Sequence, residues 1–147
     1  VLDFQDLVSG PIAYDIISLF KDAFLSWPLE RVDGWLRHYH QRARDVGLPV
    51  GTLDRFVRDA DWLGIQRHLK ILGIFSRLHY RDGKSHYLED VPRFISYLDE
   101  VLPRHPELRP LQDLLDGAIK PALAARAAAA DADADADAPA AETGKSA

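Results

Sequence analysis

The sequence predicts a mainly α protein, a helical bundle with a short β element at its start. Three observations predict it. Apolar residues recur at three- and four-residue spacing through most of the chain. Stop signals such as Pro28, Gly47 with Pro49, and Gly83 separate those runs. The opening Val1-Leu2-Asp3-Phe4 is short, apolar and followed by a turn at Ser9-Gly10-Pro11, which reads as the end of a strand presenting a carboxylate.

After that turn, Ile16, Leu19, Phe20, Ala23, Phe24 and Trp27 share a helical face, with Asp15 at the start as a candidate cap and Pro28 as the stop. A second helix is expected over about 30–46, with Val32, Leu36, Tyr39 and Ala43 inward and Gly47 and Pro49 ending it. Thr52 is the predicted N-cap of a third helix, which can run on through Trp62, Ile65, Leu69, Leu72, Phe75 and Leu78, the longest apolar stripe in the chain. Gly64 and Gly73 interrupt it, each at about 1 kcal/mol against alanine, so close packing is the expected reason for them. Arg81-Asp82-Gly83-Lys84 is a turn. Asp90-Val91-Pro92 opens a fourth helix, and a last one, from Leu111 to about Ala125, is bent or divided by Pro121. From Ala127 the text is alanine, then alternating Ala and Asp, with no large apolar side chain. That composition cannot bury enough surface to offset ordering, so residues 127–147 are expected to be a disordered tail and residues 1–126 one domain.

The 147 residues carry a net charge of −5, much of it contributed by Asp131, Asp133, Asp135, Asp137 and Glu142 in the tail. The near-neutral body argues against a nucleic-acid surface built on bulk positive charge. No apolar run approaches the roughly 20 residues of a membrane span. The absence of Cys removes disulfides and thiolate metal sites and fits a reducing cytoplasm. With no Met and an apolar first residue, the chain is expected to be the C-terminal part of a longer protein.

Asp3, flanked by Val1, Leu2 and Phe4, is the candidate site residue. A partly buried carboxylate needs a cation or a donor network, and for a hard oxygen ligand the natural ion is Mg²⁺, completed by waters and phosphates. His38 and His40 lie about 200° apart on a helix and cannot share an ion. His79 and His86 flank a turn, where an ordinary surface pair is the simpler reading. No Gly-rich phosphate loop is present.

Val1-Leu-Asp-Phe-Gln-Asp6, Gly10-Pro11 and Tyr14-Asp-Ile-Ile-Ser-Leu19, followed at a distance by Gln66-Arg-His-Leu-Lys-Ile-Leu-Gly-Ile-Phe-Ser-Arg-Leu78 and Tyr80-Arg-Asp-Gly-Lys84, resemble the aminoglycoside phosphotransferase-like kinases. Within that family the wording is most similar to the bacterial anomeric kinases of N-acetylmuramate and N-acetylglucosamine used in cell-wall recycling. The resemblance runs from Val1 to about Leu98. It implies the C-terminal helical lobe of a protein-kinase-like fold, with ATP and Mg²⁺ as cofactors and a sugar hydroxyl as acceptor. Asp3 would hold the metal, Asp15 would tie the first helix to the catalytic loop, and Asp6 would start the turn or reach the metal region. Asp22, Asp61, Trp62, Gln66 and Arg67 are the candidate acceptor contacts. The nucleotide-binding lysine of the N-terminal lobe and the catalytic loop with its base would both come from sequence upstream of Val1, so this chain holds no catalytic residue of its own. Two other readings stay open: a kinase of an aminoglycoside, choline or other amino-alcohol, and a helical interaction module without catalysis.

Overall fold

The structure, a computed structural model, describes residues 10–22, 25 and 27–136. All regular elements among them are helical, so the mainly α expectation holds. The β element expected around Asp3, and Asp3 and Asp6 themselves, lie outside the described residues. Two compact units divide between Arg104 and His105.

The first unit is built from α1 (Ala13–Phe20), α2 (Leu29–Asp45), α3 (Leu53–Asp82) and α4 (Val91–Val101), with short 3₁₀ turns at Ser85–Asp90 and Leu102–Arg104. α3 is one continuous helix of 30 residues, capped by Thr52, whose hydroxyl accepts from the Arg55 N–H at 3.3 Å. It ends at Gly83, whose φ of 67° puts it in the left-handed region that glycine enters without a Cβ penalty. α2 stops as the sequence predicts, at Gly47, also at positive φ.

α1 is shorter than its apolar spacing suggests. It closes at Phe20, and the Lys21 N–H donates to Ile17 O at 2.9 Å. The chain leaves the helix where the Lys21 side chain turns into the interior. Trp27, expected on the same helix, instead precedes α2 and meets Trp35 edge-on, 5.3 Å between ring centres. Asp15 sits exposed in the first turn of α1. Among the described residues no side chain caps that helix, and Asp15 in its first turn favours the helix dipole.

Ala13, Ile17, Val32, Leu36, Ala43, Val50, Phe56 and Ala60 form a buried cluster where α1 and α2 meet the first half of α3. Farther along α3, Phe75 meets Phe94 of α4 at 5.6 Å, nearly perpendicular, the favourable edge-to-face arrangement. Gly64 has the close contact expected of it: a Cβ there would stand 3.1 Å from Lys21 Cδ. Gly73 does not. No described residue lies within 4 Å of its would-be Cβ.

In the second unit, α5 (Arg109–Leu114) runs through one π turn (Leu115–Ile119) into α6 (Lys120–Ala136). The helix widens just before Pro121, where the sequence predicts a bend, because a proline ring collides with the carbonyl four residues back in a regular α turn. α6 continues past Arg126 into the segment expected to be unstructured. Alanine, the strongest helix former, accounts for that extension.

Candidate functional site

The inner and outer faces of α3 carry two different arrangements, both in the first unit. On the inner face Asp61 is only 2% exposed. Its Oδ1 lies 3.6 Å from Lys21 Nζ and its Oδ2 lies 3.7 Å from Arg104 Nη1. Arg104 also donates to both carboxylate oxygens of Asp33, at 3.1 and 2.7 Å. α1, α2, α3 and the turn after α4 are thus tied through one chain of charges. Burial pushes the Lys21 ammonium below the ordinary lysine range, and the Asp61 carboxylate partly opposes that push. The paired carboxylates, Asp33 foremost, raise Arg104.

His68 lies two turns farther along the same face and is 1% exposed. Its ring stacks on Tyr97 at 4.8 Å, and its buried Nε2 has no hydrogen-bond partner among the described residues. Burial, and then the nearby Lys21 charge, push its pKa down to about 4, with a hydrogen bond to the Lys21 backbone opposing. The imidazole is therefore neutral at pH 7.

On the outer face, Asp54, Arg55, Arg58, Asp59, Trp62 and Gln66 follow one another at helical spacing. With Leu63 and Pro11 they line a groove of about 910 Å³. Trp62 is 40% exposed, and the Arg58 guanidinium lies over its ring, 5.5 Å from the centre. Arg55 approaches Asp59 at 3.9 Å. A smaller hollow of about 410 Å³ shares Pro11, Arg55 and Asp59 and reaches Gly10 and the Pro49-Val50-Gly51 turn. The volume is within the range of small-ligand pockets, and an aromatic platform beside mixed donors and acceptors suits a polyhydroxylated molecule.

Of the residues singled out in the sequence, Trp62 and Gln66 come together in this groove. Asp61 does not join them, because it faces the interior and is enclosed by Lys21 and Arg104. Arg67 turns to α1 instead: Nη1 donates to the Tyr14 hydroxyl at 3.3 Å and the guanidinium stacks over that ring. Asp22 lies just past the end of α1, half-buried and away from the groove lining. Arg58 and Asp59 were missed, although their three- and four-residue spacing from Trp62 is visible. Arg104 and Lys21 carried no local signal.

The histidines make no metal site. His40 Nε2 donates to Gly51 O at 3.1 Å, and His79 Nδ1 pairs with the Ser85 hydroxyl at 3.1 Å. Among the described residues no three His, Cys, Asp or Glu side chains converge as metal ligands, and none of the helices is long and apolar enough to cross a membrane.

No family model and no solved structure matches the chain. Curated proteins do. An N-acetylmuramate/N-acetylglucosamine kinase from Pseudomonas putida is 56% identical over 116 residues, which is 78% of this chain and 34% of that protein. Those from Neisseria meningitidis and Pseudomonas aeruginosa are 52% and 50% identical over the same length. The chain is a homologue of these kinases. The resemblance read from its motifs is thereby borne out. It spans about a third of the length of the curated kinases it matches.

Proposed function

We propose that this chain is the C-terminal lobe of an ATP-dependent sugar kinase that phosphorylates the anomeric hydroxyl of N-acetylmuramate or N-acetylglucosamine in cell-wall recycling. The observation that carries the proposal is the 50–56% identity to curated kinases of that name. In the reaction the anomeric oxygen attacks the γ-phosphorus, the bond to the ADP oxygen breaks, and the hydroxyl proton passes to a base on a catalytic loop upstream of this chain. ATP use places the work in the cytoplasm.

The chain's own residues then hold the acceptor. Trp62 offers an apolar face to the pyranose ring, and Gln66 and Asp59 offer an amide and a carboxylate to its hydroxyls. Pro11 lines the same groove and follows closely in sequence the segment that carries Asp3 and Asp6, which favours an acceptor bound next to the phosphate site. One carboxylate such as Asp3 suits Mg²⁺, which takes few protein ligands and would neutralise charge on the β- and γ-phosphates. Asp15 would brace the upstream catalytic loop. Asp61, Arg67 and Asp22 belong to the support of this site rather than to sugar contact.

A cationic aminoglycoside or choline acceptor would call for an acidic surface, and among the described residues that line the groove Asp54 and Asp59 are balanced by Arg55 and Arg58. The test is ATP turnover by the full-length protein with each N-acetylated amino sugar, an aminoglycoside and choline, beside an Asp3→Ala variant. Turnover on the amino sugars, lost in the variant, supports the proposal. Unchanged turnover in the variant removes the metal assignment, and turnover on the cationic acceptors alone removes the sugar assignment.

A further inference from the structure

α1 lies antiparallel against α3, and its contacts step along both helices. Lys21 pairs with Asp61, Ile17 Cγ1 stands 3.7 Å from where a Gly64 Cβ would be, and Tyr14 meets Arg67. The Lys21 and Ile17 contacts are buried and fix how the helices cross. Tyr14 and Arg67 meet at the other end of α1, where the chain arrives from Pro11. That proline lines the groove beside Trp62 and Gln66.

We propose that Arg67 is a positioning residue for phosphoryl transfer: through the ring and hydroxyl of Tyr14 it holds the Pro11 wall of the acceptor groove in register with α3. The inference rests on the sugar-kinase reading above and adds which side chain keeps that wall in place. α1 has only eight residues, and its first turn has no side-chain cap among the described residues. Such an end frays unless something outside the helix holds it. Arg67 supplies that hold in two ways. Its Nη1 donates to Tyr14 Oη at 3.3 Å, and its guanidinium carbon lies 5.5 Å from the centre of the same ring. The stacking sets the height of the ring and the hydrogen bond sets its direction, so together they restrain a side chain that is 42% exposed. Arg67 Nε is closed off from water, which roots the guanidinium where an ordinary surface arginine would swing.

The restraint passes to the groove through the backbone. The Tyr14 N–H donates to Pro11 O at 3.0 Å, and Tyr14 O accepts from Ser18 Oγ at 2.7 Å, so the ring, the first turn and Pro11 move as a unit. Neither Tyr14 nor Arg67 lines the groove itself. A partly exposed clamp adds little to stability. Its effect is on alignment, to which transfer between bound reactants is far more sensitive.

The experiment measures kcat and KM of the full-length protein for N-acetylmuramate, N-acetylglucosamine and ATP. Wild type is compared with Tyr14→Phe, Arg67→Met, Arg67→Lys, the Tyr14→Phe/Arg67→Met double variant and, as a control on an exposed face of α2, Arg37→Gln. Arg67→Met is expected to lower kcat on both sugars about tenfold, with KM for ATP unmoved. Tyr14→Phe keeps the ring under the guanidinium and should lose less, about threefold. Arg67→Lys keeps a cation over the ring without the planar fork and should recover part of kcat. The double variant should be no slower than Arg67→Met alone, because both changes remove one and the same contact. Arg37→Gln should match wild type. The variants should melt close to wild type; were Arg67→Met to unfold, kcat in Tyr14→Phe decides. An unchanged kcat in the folded variants overturns the inference and leaves the kinase reading standing. So does a higher sugar KM at unchanged kcat, which would make the pair a sugar contact, and so do losses that add in the double variant. A wild-type protein that phosphorylates neither sugar overturns the kinase reading, and this inference with it.

Discussion

The inner face of α3 at Asp61 and its outer face at Trp62 are about 100° apart around one turn of helix, and they handle charge in opposite ways. Inside, the Asp61 carboxylate is withdrawn from water and balanced by two cations brought from α1 and from the turn after α4. Outside, Arg55 and Asp59 stay in contact with water and approach each other only to 3.9 Å, and the Trp62 indole is left partly uncovered. Removing a partner inside strands a charge where it cannot be solvated. Outside, the same kind of change lets water take the vacated place. The inner face holds the first unit together; the outer face can change its contacts at little cost in stability, which is what a binding surface requires.

Substitutions that cross this divide should differ several-fold. Asp61→Ala is expected to lower unfolding free energy by about 3 kcal/mol or more in urea titration, because Lys21 and Arg104 lose the anion between them. Leu36→Ala, in the fully buried cluster, should cost about 2–5 kcal/mol by the usual cavity effect, and comparison with Asp61→Ala would show whether ions or apolar packing contribute more to the inner face.

Acid should weaken the inner face at His68. The pKa of His68 in the fold is about 4, below the 6.5 of an unfolded histidine, so between those values the unfolded chain binds the extra proton. The contribution of His68 to stability is therefore complete above about pH 6.5 and is lost as the pH falls toward 4. His68→Phe should flatten that part of the pH profile while keeping a ring against Tyr97.

Gly64→Ala makes a finer probe. Alanine gains about 1 kcal/mol of helix propensity, but its methyl would meet Lys21 Cδ at 3.1 Å and Nζ at 3.3 Å. Lys21 is itself buried and paired, so it cannot swing aside, and a net loss of about 1 kcal/mol is expected. At the small end, Arg55→Ala on the outer face should change stability by about 0.5 kcal/mol or less in the same titration. A loss there as large as that of Asp61→Ala would erase the contrast.

The sequence made some of this legible and hid the rest for identifiable reasons. Thr52, Gly47 and Gly83 mark helix ends through chemistry confined to a few neighbouring residues, and the second and third helices were readable from them. Asp61 and Trp62 were both read as acceptor contacts, and of the two only Trp62 lines the groove. Trp62 falls in the apolar stripe with Ile65 and Leu72, so periodicity points it inward and sends Asp61 to solvent. The structure does the reverse, because the counter-charges that make Asp61 burial tolerable sit far away in sequence at Lys21 and Arg104. The same pair explains why α1 ends early. Trp62 and Gln66 were still picked out as acceptor candidates, on the chemistry of their side chains rather than on their position.

Lys21 also gives the chain a built-in reporter. An acylating reagent attacks neutral amines, and burial drives this one toward the neutral form, yet the same burial, with 3% of the residue exposed, keeps the reagent away. Lys70 and Lys84 stand on the surface and would be labelled at once. The delay before Lys21 is modified would then time the opening of the α1–α3 junction in the native protein, with no dye or added probe.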